Sequence, residues 1–312
     1  MVFIGIEIGG TKLQLVAGTQ AGEVIDRRRL TVDSNAGGEG IRAQIAAALP
    51  ELVARHQPRA VGVGFGGPVD FRTGRIECSH QVPGWHGFGL GDWLRERLPA
   101  GVQVFVDNDA NVAALGEARF GAGRGFNPVF WINMGSGIGG GLVVDGSLYH
   151  GAIPGEAEIG HLRLDKNGTI LEHRCSGWAV DARIREAVTR TPENALGRLV
   201  TAAGLKRGEA RLLAQAVDAG DPDALRILSE VGEDLAFALS HAIHLFHPSV
   251  IVMGGGLSLV GDSLRSAVAS ALPRFLMDSF QPGPEVRLAG LGEDSVPIGA
   301  LALAASRLDA AI

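Results

Sequence analysis

Two glycine-rich turns and one run of polar residues are where this sequence could do chemistry. Gly9-Gly10-Thr11-Lys12 joins two apolar stretches, and Gly135-Ser136-Gly137-Ile138-Gly139-Gly140-Gly141 joins two more. Backbone N–H groups exposed by such turns can form a nest for an anion, and the Thr11 and Ser136 hydroxyls add donors where a phosphate oxygen would need them. Neither turn is a familiar nucleotide loop. Gly135-x-Gly137-x-x-Gly140 has the dinucleotide-binding spacing, but Leu142-Val143-Val144 reads as a strand where that motif needs a helix. The first turn has the order Thr-Lys where a P-loop needs Lys before Ser or Thr, and a strand follows it as well. The polar run is Asp107-Asn108-Asp109, ahead of Ala110, Val112, Ala113, Leu115 and Ala118, whose spacing predicts a helix. One Asp there would be an ordinary N-cap; three polar residues in succession exceed what a cap requires.

The elements that must position these groups repeat. Phe3, Ile4 and Ile6, then Leu13, Leu15 and Val16, then a stretch around Val24 predict a three-stranded meander. Ile41, Ile45, Leu49, Leu52 and Val53 follow at helical spacing, and a short buried strand, Ala60 to Phe65, ends in Gly66-Gly67-Pro68. A shift of 126 positions brings the order back: Val129 to Asn133 leads into the second glycine turn, with Leu142-Val143-Val144 and Leu148-Tyr149 after it. Asp221-Pro222 opens a long helix with Leu225, Leu228, Leu235, Leu239 and Phe246 on one stripe, ending at Pro248. Ser249 to Met253 then runs into Gly254-Gly255-Gly256, matching the Ala60 strand and its glycines. The expectation is an α/β chain of two similar halves, with both glycine hairpins facing one cleft.

Composition agrees with a globular protein of two lobes. The chain has 312 residues, 46% hydrophobic and 20% charged, which excludes disordered and collagen-like classes. The 46 glycines are about twice the usual share, so many backbone segments must turn tightly or approach something closely. With 28 basic against 34 acidic residues and a net charge of −6, no dense Lys/Arg block offers a footprint for phosphate backbones, and no nucleic acid is expected as partner. Cys78 and Cys175 cannot build a disulfide framework and the N-terminus lacks a basic-then-apolar leader, so a cytoplasmic location is expected. The longest uncharged stretch, Leu235 to Gly261, contains His241, His244, His247 and Pro248, and no membrane span is expected. Those three histidines read as partly buried helix residues rather than metal ligands.

Five separate motifs, in order, carry a resemblance. Glu7-Ile8-Gly9-Gly10-Thr11-Lys12, Val106-Asp107-Asn108-Asp109-Ala110-Asn111, Gly135 to Gly141, Gly155 to His161 and Val252-Met253-Gly254-Gly255-Gly256 together resemble the ROK family of bacterial sugar kinases. The resemblance implies an α/β actin-like ATPase or hexokinase-type fold, with two duplicated lobes and a central cleft. It places residues 1–117 and a C-terminal helix, 296–312, in the N-terminal lobe and 118–295 in the C-terminal lobe. The implied activity is ATP-dependent phosphorylation of a hexose, glucose ahead of fructose or an N-acetylhexosamine, in a homodimer that uses ATP and Mg²⁺. Repressors of the family carry a helix-turn-helix ahead of the first strand, which this sequence enters at residue 2. The alternative of another class is a sugar-binding regulatory protein that has lost turnover.

Phosphoryl transfer requires a cradle for the phosphates, a cation, and a group to orient and deprotonate the attacking hydroxyl. The resemblance gives Asp109 the role of base and makes Asn108, Glu158 and His161, with Gly67 of the Gly66-Gly67-Pro68 turn, sugar ligands. Glu158 and His161, three residues apart, and Asn108 have the donors and acceptors that adjacent ring hydroxyls need. Gly9, Gly10, Thr11, Lys12, Gly135, Ser136, Gly137, Gly254, Gly255 and Gly256 are assigned to the nucleotide. Glu7 stands where the family more usually has Asp, and a carboxylate there could hold Mg²⁺ through water. Other departures are Ala157 in place of a glycine and Gln81 where Asn is common, beside a Val82-Pro83-Gly84-Trp85 segment that resembles a family sugar-site element. The largest departure concerns zinc. The family has a Cys-x-Cys-Gly-x-x-Gly-Cys arrangement after its histidine, but between His161 and Asp181 this chain has only Cys175, with His173 nearby. No structural zinc is expected, since closed sites need four ligands. The family's further sugar-binding Glu, just after its last cysteine, has no secure match here; Asp181 is a candidate stand-in, and the role is not carried over to it.

Overall fold

The computed structural model describes residues 1–79, 81–153, 155, 157–205 and 207–309. Alternating apolar residues build the first sheet. β1 (Val2–Ile8), β2 (Lys12–Thr19) and β3 (Val24–Thr31) form the antiparallel meander, and β4 (Ala60–Phe65) lies parallel to β1. A short ribbon follows, β5 (Val69–Asp70) with β6 (Arg75–Ile76), and β7 (Gln103–Asn108) lies parallel to β4. The order is β3-β2-β1-β4-β7. The second sheet holds β8 (Val129–Met134), β9 (Ile138–Val144), β10 (Ser147–Leu148), β11 (Val250–Gly254) and β12 (Glu285–Leu288) in the order β10-β9-β8-β11-β12. The two orders are the same, three strands of a meander followed by two parallel additions, as the repeat predicts.

Helices α1 (Gly37–His56), α2 (Leu90–Arg95) and α3 (Asp109–Phe120) belong to the first half of the chain. They are followed by α4 (Leu171–Cys175), α5 (Gly177–Arg190), α6 (Ala195–Ala203), α7 (Leu213–Asp218), α8 (Pro222–Phe246), α9 (Asp262–Ala271) and α10 (Ser295–Asp309). The Asp221 carboxylate caps α8 by accepting from the Ala224 N–H at 3.0 Å, and the helix ends at His247, whose φ is +44°, just before Pro248. Leu228, Leu235 and Leu239 are buried along the predicted stripe, whereas Leu225 and Phe246 are exposed because they lie in its first and last turns.

The chain forms two compact units. One comprises Met1–Gly125, Gly141–Ala157 and Gly290–Ile312; the other comprises Phe126–Gly140 and Glu158–Ala289. In the first unit β4 is buried along its whole length, because α1 covers one face of the sheet and α10 the other. Ile41, Ile45 and Leu49 of α1 join Ile4, Ile6, Val61 and Val63 in one core cluster. Leu301, Ala304 and Ala305 of α10 join Phe3 and Ala60 in another. Glycine sets how near α10 can come. A Cβ on Gly5 would lie 2.7 Å from the Pro297 carbonyl oxygen, and one on Gly62 would overlap the Ala300 carbonyl. Between helices, a Cβ on Gly116 would lie 2.5 Å from the Ser295 carbonyl oxygen, and one on Gly299 would overlap the Val112 carbonyl.

Glu117, at the far end of α3, is fully buried and has four donors. Its Oε2 accepts from the N–H groups of Ala122 and Gly290 at 2.8 and 3.0 Å. Oε1 accepts from the Leu291 N–H at 2.9 Å and the Ser295 hydroxyl at 2.8 Å. One carboxylate thus fastens the chain where it leaves this unit and where it returns. Glu117→Ala would strand these donors, and hydrogen bonds to a charged group are worth about 1.5–3 kcal/mol each. We expect a loss of about 3 kcal/mol or more, read as a lower urea midpoint at unchanged slope. Glu117→Gln, which turns one acceptor into a donor, should fall between the two.

Candidate active site

The parallel strands of the first unit finish in register, Ile8 beside Phe65 and Phe65 beside Asn108. Ligands of α/β sheets bind beyond the carboxyl ends of such strands. What lies there is the Gly9-Gly10 turn, Gly66-Gly67 and the first turn of α3. Asn108 rather than Asp109 is the N-cap of α3: its Oδ1 accepts from the N–H groups of Ala110 at 2.8 Å and Asn111 at 3.4 Å. Its Nδ2 donates to the Gly67 carbonyl at 3.1 Å, which leaves one amide hydrogen of this buried side chain for a further acceptor. Asp109 follows, half-buried. Its Oδ2 lies 3.4 Å from where a Cβ of Gly66 would be, a point also 3.4 Å from the Ile8 carbonyl oxygen and 3.8 Å from the Gly9 Cα. The carboxylate, the end of β1 and the glycine turn therefore converge.

The turn is only partly available to an anion. Gly9 N–H closes it on the Lys12 carbonyl at 3.0 Å, and a Cβ on Gly10 would collide with the Gln81 amide. The nearby Trp85 is core rather than site, buried with its ring 5.1 Å from that of Phe65. Glu7, at the end of β1, is held by the Lys12 ammonium at 3.2 Å and by Gln14 Nε2 at 2.7 Å. Gln14 is fully buried and its Oε1 accepts from Arg27 at 3.2 Å and Arg29 at 2.9 Å, while Arg27 grips Asp294 at 2.6 and 2.9 Å. Burial pushes the Glu7 carboxyl above its ordinary value, against the Lys12 charge and the Gln14 hydrogen bond. A carboxylate has about four lone-pair sites, so with two engaged Glu7 can still accept from a metal-bound water.

In the second unit, Gly135 N–H donates to the Gly137 carbonyl at 2.9 Å, and the Gly135 carbonyl accepts from Gly177 N–H at 2.8 Å. Ile138 N–H donates to Glu172 Oε2 at 2.8 Å, and that oxygen lies 2.6 Å from where a Cβ of Gly137 would stand. The N–H groups of Gly135 and Ile138 are thus engaged, and an acidic group that the sequence motifs did not single out lies against the turn, of which Ser136 is also part. Gly254 sits on the Trp131 ring, and Gly255, with φ +83°, on Met134 and Asn133; Gly256 faces open space. Glu158 and His161 border a short turn in which His161 N–H donates to the Glu158 carbonyl at 3.1 Å, and both residues are exposed.

Cys175 is buried, its thiol 3.8 Å from the Val231 carbonyl of α8, and burial drives its pKa upward. Among the described residues no group of three or more His, Cys, Asp and Glu is placed to hold a metal ion. Both Asp181 oxygens accept backbone N–H groups, Gly208 and Ala210 at 2.8 Å each, and the residue is buried. Of the α8 histidines, His241 is partly buried beside Phe237, but His244 and His247 are exposed, His247 stacked on Phe280 at 4.0 Å. No described helix is long and apolar enough to cross a membrane.

The repeated strand order and the site at the ends of β1, β4 and β7 are those of the actin-like, hexokinase-type α/β class. The chain belongs to the ROK family, whose model matches residues 3–307. It is 33% identical to a glucokinase of Halalkalibacterium halodurans over 313 residues, 95% of this chain and 93% of that protein. It is 32% identical to a glucokinase of Thermotoga maritima over 314 residues, 98% of each chain. A ROK family glucokinase from Streptomyces griseus, solved in complex with glucose and AMPPNP, superposes with a TM-score of 0.84 at 31% identity, covering 98% of this chain and 100% of that one.

Because the native Glu7 carboxyl holds its proton above the ordinary 4.5, the folded chain binds more protons than the unfolded chain between those two values. Its contribution to stability therefore falls as pH rises through that window and is level above it. Lys12→Met removes the opposing charge and should extend the fall to higher pH, while Glu7→Gln should abolish it. Urea stability measured across this range in the three proteins checks the sign.

Proposed function

We propose that this chain transfers the terminal phosphoryl group of ATP to a hexose, glucose first among them. The observation that carries the reading is the Asp109 carboxylate at the ends of β1 and β4, over Gly66 and beside Gly9, in a chain that matches glucokinases along nearly all its length. Asp109 takes the proton of the attacking hydroxyl as its oxygen bonds to phosphorus and the bond from phosphorus to the ADP oxygen breaks. Gly67, Asn108 through its remaining amide hydrogen, Glu158 and His161 take the sugar. Gly10, Thr11, Lys12, Ser136, Gly137 and Gly256 face the nucleotide, with Gly9, Gly135, Gly254 and Gly255 shaping the turns. Mg²⁺ would offset phosphate charge, reached from Glu7 through water. The proposal includes the homodimer and cytoplasmic location that the family implies, and no structural zinc.

ADP release against a panel of hexoses tests the reading, with glucose expected fastest; fructose or an N-acetylhexosamine ahead of it would move the substrate. Binding of a sugar without ADP release from any member of the panel would favour the non-catalytic alternative. Asp109→Asn should lower kcat by about 10² to 10⁴-fold, the usual share of general-base catalysis, with hexose affinity changed much less. A structural metal is part of the folding free energy, so EDTA should leave the Tm unchanged and metal analysis should find no stoichiometric zinc.

A further inference from the structure

Asp107 is two residues ahead of the proposed base and almost wholly buried, and its partners Asn108, Asn111 and His150 all belong to the first unit. One oxygen, Oδ1, accepts from Asn108 N–H at 2.9 Å and from Asn111 Nδ2 at 3.0 Å. The other, Oδ2, lies 2.6 Å from Nε2 of His150, a side chain only 8% exposed. The imidazole is stacked on Phe71, with ring centroids 3.7 Å apart and planes 14° from parallel. Asn111 also donates to the Gly155 carbonyl at 3.3 Å, so the segment carrying His150 is fastened to α3 a second time. A Cβ on Gly155 would stand 3.2 Å from both the Cβ and the carbonyl oxygen of His150 and 3.4 Å from Phe71, at a φ of +80° that favours glycine. The fit here is close.

We infer that His150 is a positioning residue for the phosphoryl-transfer reaction, acting through Asp107; this rests on the kinase reading given above. A carboxylate can turn about its Cβ–Cγ bond, and the stacked imidazole fixes that rotation by holding Oδ2. With Oδ2 held, Oδ1 stays on Asn108 N–H and Asn111, which fixes the junction of β7 and α3. Asn108 then keeps its own two ties, to the first turn of α3 and to Gly67. Asp109, next in the chain, inherits its position from this set. Hydrogen bonds between charged or strongly polar groups in a buried site are the geometrically strict ones, and displacement of a catalytic group by about 1 Å can cost about 100-fold in rate.

His150→Ala releases Oδ2 while leaving Asp109 and Asn108 in the chain. Its kcat per folded molecule, measured below the Tm of the variant, should fall about 10- to 100-fold with hexose KM changed much less. His150→Gln, whose amide N–H can still donate to Asp107, should recover most of the loss. Hydrogen exchange at the Asn108, Ala110 and Asn111 amides should quicken in the alanine variant and not in the glutamine variant. Wild-type kcat in His150→Ala, a loss carried by KM alone, or unchanged exchange at those amides would overturn the inference. Should the alanine variant fail to fold, His150→Asn, whose shorter amide stops short of Oδ2, takes its place with the same readouts. If the wild-type protein phosphorylates no hexose, the kinase reading fails by itself, and exchange at the three amides still decides whether His150 fixes the junction.

Discussion

The close approach of α10 to glycines that cannot carry a side chain is the constraint on which the first unit depends. Backbone carbonyls of Pro297 and Ala300 lie over Gly5 of β1 and Gly62 of β4, and Gly299 meets the Val112 carbonyl of α3. One helix is thereby in backbone contact with two parallel strands and with the helix that follows the third. The relative heights of Ile8, Phe65 and Asn108, and so the placement of the Asp109 carboxylate, follow from these contacts and the strand register. Side chains at those glycines would push α10 outward and uncouple the three strand ends. Glu117 acts at the same junction, since its four donors include Ser295, the first residue of α10.

Several groups that look like ligands have structural duties as well, and the two are compatible. Asn108 spends its oxygen on the α3 cap and one hydrogen on Gly67, so that its last hydrogen points from a fixed frame. Gly9 N–H closes its own turn, and Gly135 and Ile138 N–H are engaged in the second unit. A site whose supporting atoms are already satisfied does not have to be organised when substrate arrives, which is how positioned groups contribute to rate. Asp181 likewise holds one backbone donor on each of its oxygens.

The fold was legible where its signals are local. Strand alternation, the glycine turns and the caps of α8 lie within a few residues of each other, and the 126-residue repeat predicted a second sheet whose strand order turned out to be that of the first. The Asp-Asn-Asp run marked the start of α3, though not that Asn108 rather than Asp109 caps it. The pairings of Asp107 with His150, of Glu117 with Gly290 and Leu291, and of Glu172 with Ile138 were not legible, because each joins residues distant in sequence whose meeting depends on tertiary geometry. Periodicity has a similar limit in α8, where the stripe includes Leu225 and Phe246 but does not tell that both are exposed.

The segment between His161 and Asp181 shows what holds a loop with one cysteine. Cys175 enters the core against α8, and Arg174 pairs with Asp234 on the same helix at 2.9 Å. Ser176 caps α5 through the Ala179 N–H, Gly177 N–H reaches the Gly135 carbonyl, and Glu172 takes the Ile138 N–H. These bonds fasten the segment directly to the glycine turn. They also set a carboxylate beside it, and like charges repel most where water is scarce. The N–H groups of Gly135 and Ile138 are already engaged and Glu172 Oε2 lies against Gly137, so an anion at this turn would meet a like charge. The second turn is therefore a weaker anion nest than its glycines suggest.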